Sequence, residues 1–391
     1  MSEFRSVTRY GSIATPHALA TKAGEAAYLA GGSAVDAALA AAAVLTVVYP
    51  HNTTIGGDSV SLVRGPDGTT TCINSTGQAP AAASLRELVT RHGEELPVRG
   101  PDTMTVPGAV RGWEAIRCLG ARLTWEDQLS HAVTHAEKGI PVPGSLARSL
   151  ASSRDLATDP GLAAVFYPEG EPLAAGEQLV QPALASSLRC VAAGGALAFY
   201  GGEVGRKLVA GLRNLGSSLT DEDFKLFMPE LTRPLEGRFG ELNVLTSPPN
   251  TQGFLLLRTF RALFLSGGLT AETLLSGAGD LARSFEQGNA VRDEYLADPR
   301  FAELDMSTLL KPVSSSAAGV PLERSNVMTD PRVPKGDTVG ISAIDSDGYA
   351  VSHIQSIFHL LGSGVLEPST GILMRNRGTA FSLEPESANP D

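Results

Sequence analysis

Asp337 and Thr338 are the adjacent pair whose types and setting could do covalent chemistry. Thr338 opens the run Thr338-Val339-Gly340-Ile341-Ser342-Ala343-Ile344, which alternates with the period of two of a half-buried strand. Asp347-Gly348 signals a turn, and Tyr349 to Ile357 reads as a second strand, so the stretch predicts a β-hairpin that begins with a threonine. Leu310 to Lys335, rich in Pro, Ser and Gly, predicts an exposed loop running into it. Cutting the Asp337–Thr338 bond would leave a hydroxyl and a free α-amine on one residue. The amine, with an ordinary pKa of about 8, can take the hydroxyl proton. One residue would then be nucleophile and base, with no His or Asp partner needed. On the hairpin alone the plainer reading stands ahead: Thr338 is a β-branched strand residue.

The elements that must position such a residue are legible further back. Pro16 suits a helix opening, His17 to Leu29 predicts the first helix, and Gly31-Gly32 stops it. Ser33 is a plausible N-cap for Ala34 to Val48, which is apolar on nearly all sides and so predicts a buried helix. Pro50 ends it, and Gly56-Gly57-Asp58 leads into a strand over Ser59 to Val63. The two glycines could form an anion-binding loop, but a tight turn placing a core strand is favoured. Leu146 to Phe224 reads as largely helical, broken at Gly194-Gly195 and Gly201-Gly202. Asp221-Glu222-Asp223 lacks metal-loop spacing and reads as a helix start with favourable dipole placement. His131 and His135 could share a helix face, but without H-E-x-x-H wording or an evident third ligand they read as surface histidines.

Composition bounds the class. The chain has 391 residues, 42% hydrophobic and 19% charged, enough for one large or two modest domains of an ordinary soluble protein. A net charge of −11 argues against a nucleic-acid binder. Cys72, Cys118 and Cys190 are scattered, with no metal spacing, and read as buried thiols of a reducing compartment. The first residues carry no secretory pattern, and Ala34 to Val48 is too short to span a membrane. The expectation is a cytoplasmic protein with no cofactor, no metal, and no nucleic-acid or membrane partner.

The wording of GDTVGISAIDSDGYAVSHIQSIFHLLGSGVLEPSTGIL resembles the start of the small subunit in the γ-glutamyltranspeptidase family: a Thr-initiated strand, D-x-D-G-x-A-V-S, then G-S-G and T-G-I-L. The G-D-T-V junction and I-Q-S-I-F-H look like the oxamate amidohydrolase-like branch. The wording from Pro16 to Asp58, Thr105-Val106-Pro107-Gly108-Ala109-Val110-Arg111-Gly112-Trp113, Leu219 to Phe224, Ser247 to Gly253 and Arg292 to Pro299 extend the resemblance along the chain. It implies an α+β fold, the four-layer αββα sandwich of N-terminal-nucleophile hydrolases. It also implies a proenzyme that cuts itself at Asp337-Thr338 into a large part, 1–337, and a small part, 338–391, which stay together as a heterodimer. Thr338 becomes the nucleophile, and Ser356 matches a family Thr that hydrogen-bonds it.

The resemblance also speaks to substrate. Thr76 stands where the family's R-E-x-A-P segment has its carboxylate-binding Arg, and Phe358, Arg377 and Ala380 stand where Asn, Gln and Asp bind the α-amino group. An ammonium left without acceptors and beside an arginine is costly, so glutathione is disfavoured. Arg377 could instead clamp a small carboxylate bidentately, as oxamate would offer, or be a solvated or structural arginine; Phe358 would line the same substrate site. The sequence stops at Asp391, short of the small-subunit continuation that carries paired serines and the Gly-Gly oxyanion donors. The expectation is an amidohydrolase acting on a small oxamate-like amide. Two alternatives stay open: a γ-glutamyltransferase or glutathione hydrolase, and a non-catalytic or split-enzyme subunit.

Overall fold

The computed structural model describes residues 11–265, 270, 278–312 and 338–384. Residues 313–337 lie outside them, and with them Asp337 and most of the loop expected over Leu310 to Lys335, as do residues 385–391.

Strands first: β1 (Gly11–Ala14), β2 (Asp58–Arg64), β3 (Thr70–Ser75), β4 (Ile140–Pro141), β5 (Gln178–Leu179), β6 (Glu230–Thr232), β7 (Leu235–Phe239), β8 (Leu242–Thr246), β9 (Val339–Asp345) and β10 (Ala350–Ser356). Six of them form one sheet in the order β1-β9-β10-β2-β3-β6. The predicted hairpin is β9–β10, and it is inserted at the centre of the sheet, antiparallel to β1 on one side and to β2 on the other. Strands made from residues 11–75 therefore grip a hairpin that arrives about 260 residues later in the chain, a separation that no local pattern reveals.

Two helices cover one face of this sheet. α1 (Ala18–Leu29) packs on α2 (Ala34–Val48), and α2 lies directly on β1, β9 and β10. All fifteen residues of α2 are buried, as its apolar wording predicts. Its small alanines allow the close approach. Asp36, the one charge in it, is spent on structure. It completes the capping box with Ser33 and accepts from the Arg122 and Leu123 amides and from Gln128 Nε2. The predicted turn motif is tied to the same helix end: Asp345 Oδ2 accepts the Ala34 amide at 2.7 Å, while Oδ1 accepts from the Asp347 and Tyr349 amides. That carboxylate closes the hairpin turn and caps α2 together.

The remaining helices of this unit are α3 (Leu85–His92), α4 (Ala109–Arg117), α5 (Trp125–Lys138), α6 (Gly144–Ala151), α7 (Pro160–Phe166), α8 (Pro182–Gly194), α9 (Ala196–Tyr200), α10 (Glu203–Asn214) and α11 (Asp221–Leu226). α4 covers β2 and β3 on the same face as α2, and α5 and α8 build outward from α2. The glycine breaks fall where expected, between α8, α9 and α10. The acidic triplet is a helix start, with Thr220 and Asp223 forming a capping box. On the opposite face of the sheet Ser342, Ile344, Ser352 and Ile354 are exposed among the described residues.

The chain divides into two compact units, 11–231 with 338–383, and 232–312. Residues 232–312 close a small core of their own. There the β7–β8 hairpin packs on α12 (Phe254–Leu265), with the Phe239 and Phe260 rings edge to face at 5.5 Å, and α12 packs on α13 (Ala278–Tyr295).

Local readings also shift. Pro16 precedes the cap of α1; the cap is His17, whose Nδ1 accepts the Leu19 amide. Only Cys72 is a buried thiol. Cys118 ends α4 in the open, and Cys190 is half-buried; none of the three is in a disulfide. His131 is exposed and His135 half-buried on α5. No helix among the described residues is long and apolar enough to cross a membrane.

Candidate active site

Thr338 is exposed immediately before β9, and its Oγ1 donates to Ser356 Oγ at 3.3 Å. Ser356 is the last residue of β10, buried, and its Oγ also accepts the Phe358 amide at 2.9 Å. The structure thus brings together the two residues that resemblance assigns to the nucleophile and its hydrogen-bond partner. Their approach follows from register: Gln355 pairs with Val339, which leaves Thr338 and Ser356 at the shared end of the hairpin.

Phe358 and Arg377 join the same end, in a manner that sequence does not show. Phe358 has φ 76°, in the left-handed region, which sets where its ring projects from the peptide plane whose N–H is on Ser356. The Arg377 guanidinium lies over its ring, Cζ 4.7 Å from the centroid. Arg377 Nε pairs with Asp58, and the Arg377 side chain is 28% exposed. Arg377 is therefore neither free nor merely solvated; it is anchored at Nε. Asp58 in turn sits directly across from Ser356 in the β2–β10 ladder.

Asp58 and Arg375 are the site residues that sequence reasoning misses. In the sequence Asp58 is only the end of a glycine turn, and nothing local singles out Arg375. Arg375 is fully buried, with Nη1 2.7 Å from Asp58 Oδ2 and Nη2 donating to the Gly77 carbonyl at 2.9 Å. Burial pushes its pKa down to about 10, against the pull of Asp58, so it is charged at neutral pH. The available signal is two arginines flanking Asn376, with a carboxylate needed to serve one that is buried.

The glycine pair is structural. The Gly56 and Gly57 amides are consumed by Thr54 Oγ1 and the Thr54 carbonyl, so they offer nothing to an anion. Gly57 also passes against the Ser356 carbonyl, where a side chain would not fit. Thr76, at the position of the missing family arginine, spends its amide and hydroxyl on Asn74 Oδ1. Ala380 is exposed at the end of the short turn Arg377–Ala380. A cavity of about 50 Å³ is lined by Pro80, Met104, Thr105, Gly378 and Phe381, and not by Thr338, Ser356 or Arg377.

A threonine at the head of a central strand, in a mixed helix-and-sheet fold, defines the class: this is the architecture of the N-terminal-nucleophile hydrolases. Comparisons with known proteins carry this further. The family model for gamma-glutamyltranspeptidase matches residues 20–391. The chain is 34% identical to an oxamate amidohydrolase proenzyme of Klebsiella pneumoniae, over 97% of this chain and 73% of that one. It is 33% identical to a glutathione hydrolase-like YwrD proenzyme of Bacillus subtilis, over 96% and 72%. Among solved structures, cephalosporin acylase from Bacillus halodurans superposes with a TM-score of 0.86 at 29% identity, covering 98% of this chain and 72% of that one. The chain belongs to the γ-glutamyltranspeptidase family, and it is a hydrolase of the autoprocessed, proenzyme kind.

Proposed function

We propose that this protein is an amidohydrolase that cuts itself between Asp337 and Thr338 and then hydrolyses a small carboxylate-bearing amide through an acyl-threonine. The observation that carries the reading is the shared end of the hairpin: Thr338 on Ser356, with an anchored guanidinium on Phe358 beside them. In self-cleavage the Thr338 hydroxyl oxygen attacks the Asp337 carbonyl carbon, the amide C–N bond breaks, and an ester forms with the α-amine freed. Water opens the ester, leaving a carboxylate on Asp337 and the hydroxyl restored. The same oxygen then attacks the substrate amide, the amine takes the hydroxyl proton and passes it to the leaving nitrogen, and water releases the acid.

The sheet order supports such a cut. β9 and β10 are held between β1 and β2, so the part beginning at Thr338 would stay in the sheet after cleavage as the smaller half of a heterodimer. Ser356 accepting from Thr338 fixes the hydroxyl's direction.

Arg377 supports a carboxylate on the substrate. Oxamate places one next to the amide to be cut, and the similarity to an oxamate amidohydrolase points the same way. A γ-glutamyl head is disfavoured because its ammonium would meet Arg377 and Phe358 where acceptors are needed. The test is an intact mass of the purified protein beside Thr338→Ala, followed by a screen of oxamate against γ-glutamyl amides. Two fragments divided at 337/338, absent in the variant, with ammonia released from oxamate, is the expected result. An uncut wild-type chain would overturn self-processing. Faster turnover of γ-glutamyl amides would replace the substrate class.

A further inference from the structure

One carboxylate serves two guanidiniums at this site. Asp58 Oδ2 lies 2.7 Å from Arg375 Nη1 and also pairs with Arg377 Nε, and Asp58 and Arg375 are both buried. The cluster therefore holds one positive charge in excess. His359, beside Phe358, adds none: burial first, and Arg377 second, lower its pKa, so its ring is neutral at pH 7. Arg375 cannot present the excess, being enclosed with Nη2 on the Gly77 carbonyl. Arg377 can. Its Nε is taken by Asp58, and no described residue takes its two terminal nitrogens. The Phe358 ring covers one face of the guanidinium. A carboxylate on one edge and a ring on one face restrain a planar group about its free axes, and what stays open is the two-nitrogen edge that matches a carboxylate.

We propose that Asp58 is a positioning residue: it holds Arg377 by Nε so that the terminal nitrogens form a fixed receptor for a single substrate carboxylate. Arg375 is buried behind Asp58 as its structural counter-ion. The inference rests on Arg377 as the substrate clamp, the reading given above, and adds the residue that makes the clamp selective. The excess of one charge sets the class: amides carrying one short carboxylate and no ammonium near it.

Asp58→Asn alone would strand Arg375 without an anion and could fail to fold. The informative variant is Asp58→Asn with Arg375→Gln, which removes one charge of each sign and leaves Arg377 in place; Arg375→Gln alone is the comparison. The readout is the kcat/KM ratio of oxamate to its neutral isostere oxamide. The double variant should lower that ratio about tenfold or more through KM for oxamate, while Arg375→Gln alone keeps discrimination near the wild-type value. An unchanged ratio in the double variant overturns the proposal. So does a double variant that loses both substrates equally, or that cannot fold or self-cleave where Arg375→Gln can, because Asp58 would then be structural only. If the wild type hydrolyses neither amide, the amidohydrolase reading falls, and the Asp58 inference is read from calorimetric binding of oxalate instead. Binding weakened about tenfold in the double variant supports it; equal or absent binding overturns it.

Discussion

Phe358 holds its backbone at φ 76° with its amide 2.9 Å from Ser356 Oγ. A bulky residue in that region costs on the order of 1–3 kcal/mol and persists only where its surroundings demand it. Here one residue makes two connections, the amide to the partner of Thr338 and the ring to the Arg377 guanidinium. The strain thus links the nucleophile end of the hairpin to the cation.

Separating those connections gives the first prediction. Phe358→Gly accepts the left-handed backbone without strain and keeps the amide, but removes the ring. Self-cleavage should persist by intact mass, while KM for oxamate rises about 2- to 30-fold, the worth of a lost cation–π contact of about 0.5–2 kcal/mol. Loss of cleavage with an unchanged KM would show that the ring serves the nucleophile instead.

Ser356→Ala leaves the Thr338 hydroxyl undirected and the Phe358 amide without its acceptor. A net hydrogen bond is worth about 0.5–1.5 kcal/mol, so the rate of self-cleavage should fall about 2- to 10-fold in a time course of intact mass. Ser356→Thr restores the oxygen and should recover most of the rate. Equal rates in all three proteins would remove Ser356 from the reaction.

What sequence shows of this site divides by range. The hairpin, its Asp347-Gly348 turn and the buried α2 are written in local alternation, turn chemistry and an unbroken apolar run, and the structure has them within a residue or two. Ser356 is recoverable through family wording. The Asp58 partnership is not, because its arginines lie more than 300 residues away and the pairing depends on β2 lying beside β10. β1 escapes for the same reason: four residues gain strand structure only by pairing with β9. The Phe358 conformation carries no sequence signal, since an aromatic residue is the last type that backbone geometry would select for positive φ.

Gly57 tests the structural reading of the glycine pair. A methyl group there would land on the Ser356 carbonyl, backbone that cannot swing aside. Gly57→Ala should destabilise the fold by about 1–3 kcal/mol and slow self-cleavage, because the displaced atom belongs to the partner of Thr338. Gly340→Ala on β9 is the contrast. Nothing lies within 4 Å of a Cβ at that position, so urea unfolding should show it at least as stable as wild type.

The last prediction concerns acid. Beneath β10, Gln355 Nε2 donates to the Ala42 carbonyl at 2.9 Å, and its Oε1 accepts from Trp113 Nε1 at 3.2 Å. The same oxygen lies 3.2 Å from His353 Nε2, so that nitrogen carries the proton, and Nδ1 accepts from Ser61 Oγ at 2.8 Å. Burial pushes the His353 pKa down to about 4, with the Gln355 bond opposing, from 6.5 in the open. His51 is pushed to about 4 as well, first by burial and then by His17 and Arg148. Below pH 6.5 the unfolded chain binds protons that the folded one refuses. Stability is therefore complete above that pH and is lost as pH falls toward about 4, by roughly 2–3 kcal/mol for His353 alone. Urea unfolding of the uncut Thr338→Ala chain at pH 7 and pH 4.5 measures the loss. Adding His353→Gln should lower stability at pH 7, through the cut network, yet shrink the acid loss by at least about 1 kcal/mol. An acid loss of unchanged size would mean that other groups take up those protons.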